Sequence, residues 1–167
     1  MNRRTIGLRG RRSFLLSALG AAGGAAGMYA LVGIAVGDAF ISGWEAKYRY
    51  NLLRPVTYIQ RYIRKRWNPL VQTPPFPEYP SGHSVVSGAA ATVLTNLFGQ
   101  VSFVDNTGLS RDLPPRGFTS FNAAATEAAI SRMYGGIHYR FDVEAGNQKG
   151  KEVGQFAVER MMTDGGE

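Results

Sequence analysis

Between Arg66 and Ser81 the chain has little freedom to be helix or sheet. Pro69, Pro74, Pro75, Pro77 and Pro80 all fall within residues 67–80. Proline has no backbone N–H, fixes its own φ and pushes the residue before it toward extended conformations. The stretch is therefore predicted to be a stiff, shaped connector, and whatever folds here must fold around it. Directly after it, Ser81-Gly82-His83 opens a run with Val86, Ala89 or Ala90, Val93, Leu94 and Leu97 at helical spacing. This predicts a helix to about Phe98, with Ser81 near the N-cap and Gly82 and His83 in the first turn. A helix start carries unpaired N–H groups and the positive end of the dipole, which together favour an anion. A hydroxyl, a glycine that permits close approach and an imidazole meet there. The result is a phosphate-like pocket that still needs cations.

The rest of the chain reads as further helices. One is expected from about Met28 to about Tyr50, interrupted by Pro55. A second is expected from Val56 to about Arg66, with Tyr58, Ile59, Tyr62 and Ile63 inward. Residues 99–118 carry the turn signals Asp105-Asn106-Thr107-Gly108 and Leu113-Pro114-Pro115-Arg116-Gly117 and read as an excursion, with room for a short strand. Thr119–Tyr134 reads as a helix ended by Gly135-Gly136. A last helix is expected from about Phe141 to Met162, with Val143, Gly146, Gly150, Val153, Phe156, Ala157 and Met161 on its apolar or small side. No alternating strand pattern or repeat stands out. The expected class is all-α, a helical bundle with long shaped loops over residues 28–162 and a loose tail at 163–167.

Charge narrows the partners. The net charge is +7, with Arg3, Arg4, Arg9, Arg11 and Arg12 at the start and Arg61, Arg64, Lys65 and Arg66 as a second cluster. A basic chain suits anionic ligands. No nucleic-acid motif accompanies it, and the second cluster reads first as a solvated helix end. The absence of cysteine excludes disulfides, thiolate catalysis and cysteine-ligated metals.

Residues 1–27 have the parts of an export signal: basic residues, an apolar run and small residues around Ala26. Arg11-Arg12-Ser13-Phe14-Leu15-Leu16 resembles a twin-arginine signal, which implies an exported protein, periplasmic or extracellular. A membrane anchor is the rival reading, because no charge occurs from Ser13 to Gly37. A loose amino-terminal tail is the third.

Two other segments supply what the Ser81 pocket lacks. Lys47 and Arg54 are seven residues apart, two turns of a helix, which places both cations on one face. In Ser131-Arg132-Met133-Tyr134-Gly135-Gly136-Ile137-His138-Tyr139-Arg140-Phe141-Asp142, Arg132 ends a helix and His138 follows the glycine pair. Asp142 lies four residues beyond His138, a spacing that lets its carboxylate take a hydrogen bond from one imidazole nitrogen and raise the basicity of the other. Singly, each residue has a plain structural role: Lys47 and Arg54 a solvated face, Ser81 a cap, Asp142 a charge at a helix start.

Together they form a pattern. Lys-x6-Arg-Pro, then Pro-Ser-Gly-His, then Ser-Arg-x5-His-x3-Asp resembles the three-part signature of the type 2 phosphatidic acid phosphatase and vanadium-dependent haloperoxidase superfamily. The eleven fixed positions are present in order, separated by 24 and 47 residues. The resemblance implies that Lys47, Arg54 and Arg132 hold an oxyanion, with Ser81 and the Gly82 amide as neutral donors. It implies that His138 bonds the central atom, phosphorus or the vanadium of vanadate, that Asp142 orients it, and that His83 is the acid–base group. A trigonal-bipyramidal phosphoryl group needs an in-line nucleophile, a proton donor and equatorial positive charge, and vanadate adopts that geometry as a stable species.

The loop Pro-Pro-Phe-Pro-x-Tyr-Pro-Ser-Gly-His and the segments Ile130-Ser131-Arg132 and His138-Tyr139-Arg140-Phe141-Asp142 resemble the haloperoxidase branch. That branch implies vanadate as cofactor and halide oxidation by hydrogen peroxide. Phe76 falls where chloroperoxidases of the family carry phenylalanine near the halide and bromoperoxidases carry histidine. Two alternatives remain. One is a phosphatase without vanadate that hydrolyses phosphomonoesters through a phosphohistidine at His138. The other is an inactive, shortened homologue, since only about twenty residues separate the signal-like segment from Lys47 where haloperoxidase-like proteins usually have a substantial helical portion. Small-molecule substrates are expected throughout, and a homo-oligomer or a completing chain is a further expectation.

Overall fold

The computed structural model describes residues 24–163, with side chains through Arg160. The Arg11-Arg12 signal reading and nearly all of the carboxy-terminal tail lie outside the described residues. Helix α1 spans Ala25–Tyr50, α2 Pro55–Tyr62, α3 Gly82–Phe98, α4 Phe121–Tyr134 and α5 Arg140–Thr163. Strands β1 (Phe103–Asp105) and β2 (Arg116–Phe118) form a small antiparallel hairpin in the excursion, pairing Phe103 with Phe118. Its connection begins where Asp105 accepts hydrogen bonds from the Thr107 amide and hydroxyl. Among the described residues the fold is all-α apart from this hairpin.

Helix α3 is the centre. It packs against α1, α4 and α5. The core joins Leu31, Ala35 and Ala39 of α1 to Val85, Ala89, Val93 and Leu97 of α3 and to Ala157 and Val158 of α5. The buried stripe of α1 recurs at four-residue steps, as one helix face must. Most of these side chains are small, which lets the helices approach closely. A Cβ at Gly150 would overlap the Val85 carbonyl oxygen, one at Gly154 would lie 2.6 Å from the Ala89 oxygen, and one at Gly146 would lie 2.9 Å from Ser84 Cβ. Gly88 returns the favour, with the Asn147 oxygen 2.8 Å from where its Cβ would be. Backbone therefore rests on backbone along α3 and α5, and the starts of both helices are locked side by side.

Three expectations change. Lys47 and Arg54 do not share a helix face. Asn51 takes the left-handed conformation (φ 47°) and closes α1 after Tyr50, while Arg54 is extended (φ −66°, ψ 149°) because Pro55 begins α2. Helix α2 stops at Tyr62 rather than about Arg66, and Tyr58, Tyr62 and Ile63 are exposed rather than inward. Phe156 is also exposed. It lies on α5 about 200° around the helix from Gly154, away from the side that carries Ala157 and Val158 into the core. The stretch Ala25–Tyr62 contains a window long and apolar enough to cross a membrane by length and composition, with 17% of that window buried.

Candidate active site

The site is built on the proline-rich connector, and two buried cations hold that connector in shape. Lys47 Nζ donates to the carbonyl oxygens of Pro77 (3.1 Å), Glu78 (3.0 Å) and Pro80 (2.6 Å). All three of its N–H groups are thereby used. Arg54 donates through Nε to the Phe76 oxygen at 3.0 Å, through Nη2 to the Pro77 oxygen at 3.3 Å and through Nη1 to the Ile137 oxygen at 2.9 Å. Prolines leave a loop rich in acceptors and poor in donors, so the chain must bring donors from elsewhere. Burial, with the neighbouring Arg54 charge, lowers the Lys47 pKa to about 8.

The third segment arrives through the glycine pair. Gly136 adopts φ 77°, and a Cβ there would meet Trp67 at 3.0 Å and Pro69 at 3.2 Å. This turn lifts the chain off the end of α4 and buries His138 (5% exposed) under the connector. Arg54 Nη1 lies 3.1 Å from His138 Nε2. A guanidinium can only donate, so Nε2 accepts and the ring proton sits on Nδ1. Two buried carboxylates face that proton. Glu78 Oε1 lies 3.0 Å from Nδ1 in a directed hydrogen bond and also accepts the Tyr139 amide at 3.0 Å. Asp142 Oδ2 lies 2.5 Å from Nδ1 but off the hydrogen-bonding direction, and neither of its oxygens has a hydrogen-bond partner.

The carboxylates titrate apart. Burial drives Asp142 up to about 7, with the Glu78 carboxylate adding to the shift against the opposing His138 contact. Burial also raises Glu78, but the hydrogen bonds from His138 and the Tyr139 amide, with the adjoining Asp142 carboxyl, outweigh it and hold Glu78 below its usual range. Since Asp142 binds its proton more tightly folded than unfolded, its contribution is present below about pH 4 and lost as pH rises through about 7. The unfolding free energy of wild type relative to Asp142→Asn, from urea titrations, should therefore fall between pH 5 and pH 7.5. A difference that grows with pH would mean that Asp142 is held ionised.

Beyond the imidazole lies a cavity of about 190 Å³ lined by Phe40, Trp44, Phe76, Gly82, His83, Arg132, Ile137 and His138, among others. The three motif segments thus converge. Gly82, His83, Arg132, His138 and Phe76 line the cavity, while Lys47, Arg54, Ser81 and Asp142 stand behind it. Ser81 is fully buried and caps α3 by accepting the Ser84 amide at 3.4 Å. The Gly82 and His83 amides, first in the helix, have no intrahelical acceptor. Arg132 Nε is buried without a hydrogen-bond partner. Trp44 stacks on Phe40 at 3.8 Å and leans on Phe76 at 5.2 Å, giving the cavity an aromatic wall. His83 is at the rim, and burial followed by the Arg132, His138 and Lys47 charges lowers its pKa, which favours neutral imidazole at pH 7.

This donor set fits a tetrahedral oxyanion such as vanadate or phosphate: unpaired amides, a guanidinium with an unpartnered nitrogen and the His138 imidazole line one small cavity. Glu78, His138 and Asp142 also bring ligand atoms within 4.8 Å of one another, as a metal cation would require. The His138–Glu78 spacing is a hydrogen-bond length, however, and the Lys47 and Arg54 charges already lie near the two carboxyl groups, so the trio reads as a proton-holding cluster. Glu78 was invisible in the sequence. An acid among prolines reads as a solvated loop charge, and only the fold shows it buried.

The family described as the VCPO second helical-bundle domain matches residues 27–164. A vanadium chloroperoxidase from Curvularia inaequalis is 28% identical over 170 aligned residues, which cover 71% of this chain and 28% of that protein. The crystal structure of a bacterial vanadium-dependent iodoperoxidase superposes with a TM-score of 0.76 at 56% identity, covering 79% of this chain and 32% of that one. A holo-type bacterial vanadium-dependent chloroperoxidase shares the fold at 20% identity, with a TM-score of 0.63 over 75% of this chain and 33% of that one. The chain spans about a third of the length of these relatives.

Proposed function

We propose, from the premise that this chain belongs to the family of the VCPO second helical-bundle domain, that it holds vanadate at His138 and oxidises halide with hydrogen peroxide. The observation that carries this reading is the state of His138. Its Nδ1–H is taken by buried carboxylates, and its Nε2 lone pair faces Arg54 on a residue that lines the same cavity as His83 and Arg132. His138 Nε2 would bond the vanadium in place of its contact with Arg54 Nη1, Arg132 and the first amides of α3 would take its oxygens, and Lys47 and Arg54 would add positive charge from behind. Bound vanadate supplies a Lewis-acidic centre that activates peroxide toward a halide. Overall, halide, hydrogen peroxide and one proton give hypohalous acid and water. His83, at the rim and with a lowered pKa, is the group placed to pass that proton.

Iodide is the halide most easily oxidised, and the relative at 56% identity is an iodoperoxidase, so iodide is the substrate to try first, then bromide and chloride. Phe76, beside Trp44 and near both Lys47 and Arg54, is the residue proposed at the halide. Purified protein loaded with vanadate and given peroxide and iodide should oxidise a dye, and His83→Ala should slow that turnover. Hydrolysis of a chromogenic phosphomonoester with no halide oxidation would assign phosphatase chemistry instead. Absence of both would mark an inactive homologue.

The exposed Tyr58, Tyr62 and Ile63 of α2 and the exposed Ile34 and Ile41 of α1 support a covering partner, either a second copy or a completing chain. Light scattering on the purified chain reads which. The Arg11-Arg12-Ser13-Phe14-Leu15-Leu16 segment supports export, read by recovery of the protein outside the inner membrane.

A further inference from the structure

We infer that Glu78 is a positioning residue for His138: its carboxylate takes the Nδ1–H in the directed hydrogen bond and is itself fixed by the Tyr139 amide, leaving the lone pair on Nε2, where it accepts from Arg54 and where an oxyanion centre would replace that donor. The inference rests on the reading of His138 as the residue that bonds the oxyanion, but it is carried by separate geometry. Asp142, at the spacing the sequence singled out, touches Nδ1 without a well-directed bond. Glu78 Oε1 instead meets two donors, one on His138 and one on the residue after it, both at 3.0 Å. The same carboxylate thus fixes the ring and the backbone that carries it. Glu78 is in turn placed by its own main chain: its carbonyl oxygen accepts from Lys47 and its amide donates to the Leu52 oxygen at 3.0 Å. The residue is completely buried, so this bond competes with no water. A chain of contacts therefore runs from Lys47 through Glu78 to His138 and links all three motif segments.

The test needs no turnover. The chain has two histidines, so the imidazole N–H signals of ligand-free protein can be assigned with little ambiguity. In wild type, His138 Nδ1–H should give a slowly exchanging, strongly downfield proton resonance. Glu78→Ala should lose it to exchange, and orthovanadate should bind about 10- to 100-fold more weakly, the usual loss when a partner behind a ligating histidine is removed. Glu78→Gln keeps an acceptor for both N–H groups. It should fold, retain the resonance and move it upfield as a charge-assisted bond becomes neutral, with a smaller loss of affinity. A resonance and vanadate affinity unchanged in Glu78→Ala would overturn the proposal. So would an unmoved resonance in Glu78→Gln, which decides the matter if the alanine variant does not fold. Wild type that shows the resonance but binds no oxyanion would sink the functional reading and leave the role of Glu78 toward the ring intact.

Discussion

Replacing His138 with alanine is expected to abolish halide oxidation and to weaken orthovanadate binding at least about a hundredfold, which corresponds to about 3 kcal/mol. The expectation follows from the protonation state of the ring. Arg54 and two carboxylates fix Nδ1–H and an Nε2 lone pair, and no other side chain lining the cavity offers such a pair held from behind. His83 cannot substitute, because it lies at the rim with no carboxylate among its hydrogen-bond partners. The variant also leaves Glu78 buried without its His138 donor, so its stability should fall by roughly 1–3 kcal/mol. Circular dichroism separates that loss from the loss of binding. His83→Ala is the control in the other direction: oxyanion affinity should stay within severalfold of wild type while turnover falls, as removal of a general acid–base group predicts.

The largest structural effect is expected far from the chemistry, at Gly150→Ala. Alanine favours a helix interior over glycine by about 1 kcal/mol. Here the added methyl would overlap the Val85 carbonyl oxygen and crowd the Ala89 amide, both of them backbone atoms of α3. No rotamer relieves such a contact, so α5 must move away from α3, and the net loss should be roughly 2–4 kcal/mol. Urea denaturation reads it. Gly33→Ala is the matched comparison, since no atom lies within 4 Å of its Cβ position. It should stabilise the chain by about 0.5–1 kcal/mol. Equal effects at the two positions would mean that α3 and α5 are not locked backbone to backbone. Because Gly146 lies over Ser81, separating these helices should also displace the start of α3 and weaken anion binding.

The parts of this molecule that could be read in advance are those set by local rules. Proline excluded regular structure from residues 67–80, Ser81 capped α3, and Gly135-Gly136 closed α4, because each residue constrains its own backbone. The spacing of His138 and Asp142 was also legible, since four residues across a helix start bring side chains together. Arg54 was misplaced onto a helix because the seven-residue count ignored Pro55, which holds its predecessor extended. Tyr58, Tyr62 and Ile63 pattern as a buried face but are exposed among the described residues, for periodicity says which side chains cluster and not what covers them. Glu78 could not be found at all. Its role depends on a histidine sixty residues later and on two cations that fold the connector inward, and no local signal marks it.

The central claim is that this chain presents an oxyanion site whose outward ligand is His138 Nε2. Calorimetric titration of orthovanadate into the purified chain at pH 7.5 tests it most directly. A single site, competition by inorganic phosphate and loss of that site in folded His138→Ala are expected. Vanadate that fails to bind, or that binds folded His138→Ala as tightly as wild type, would contradict it.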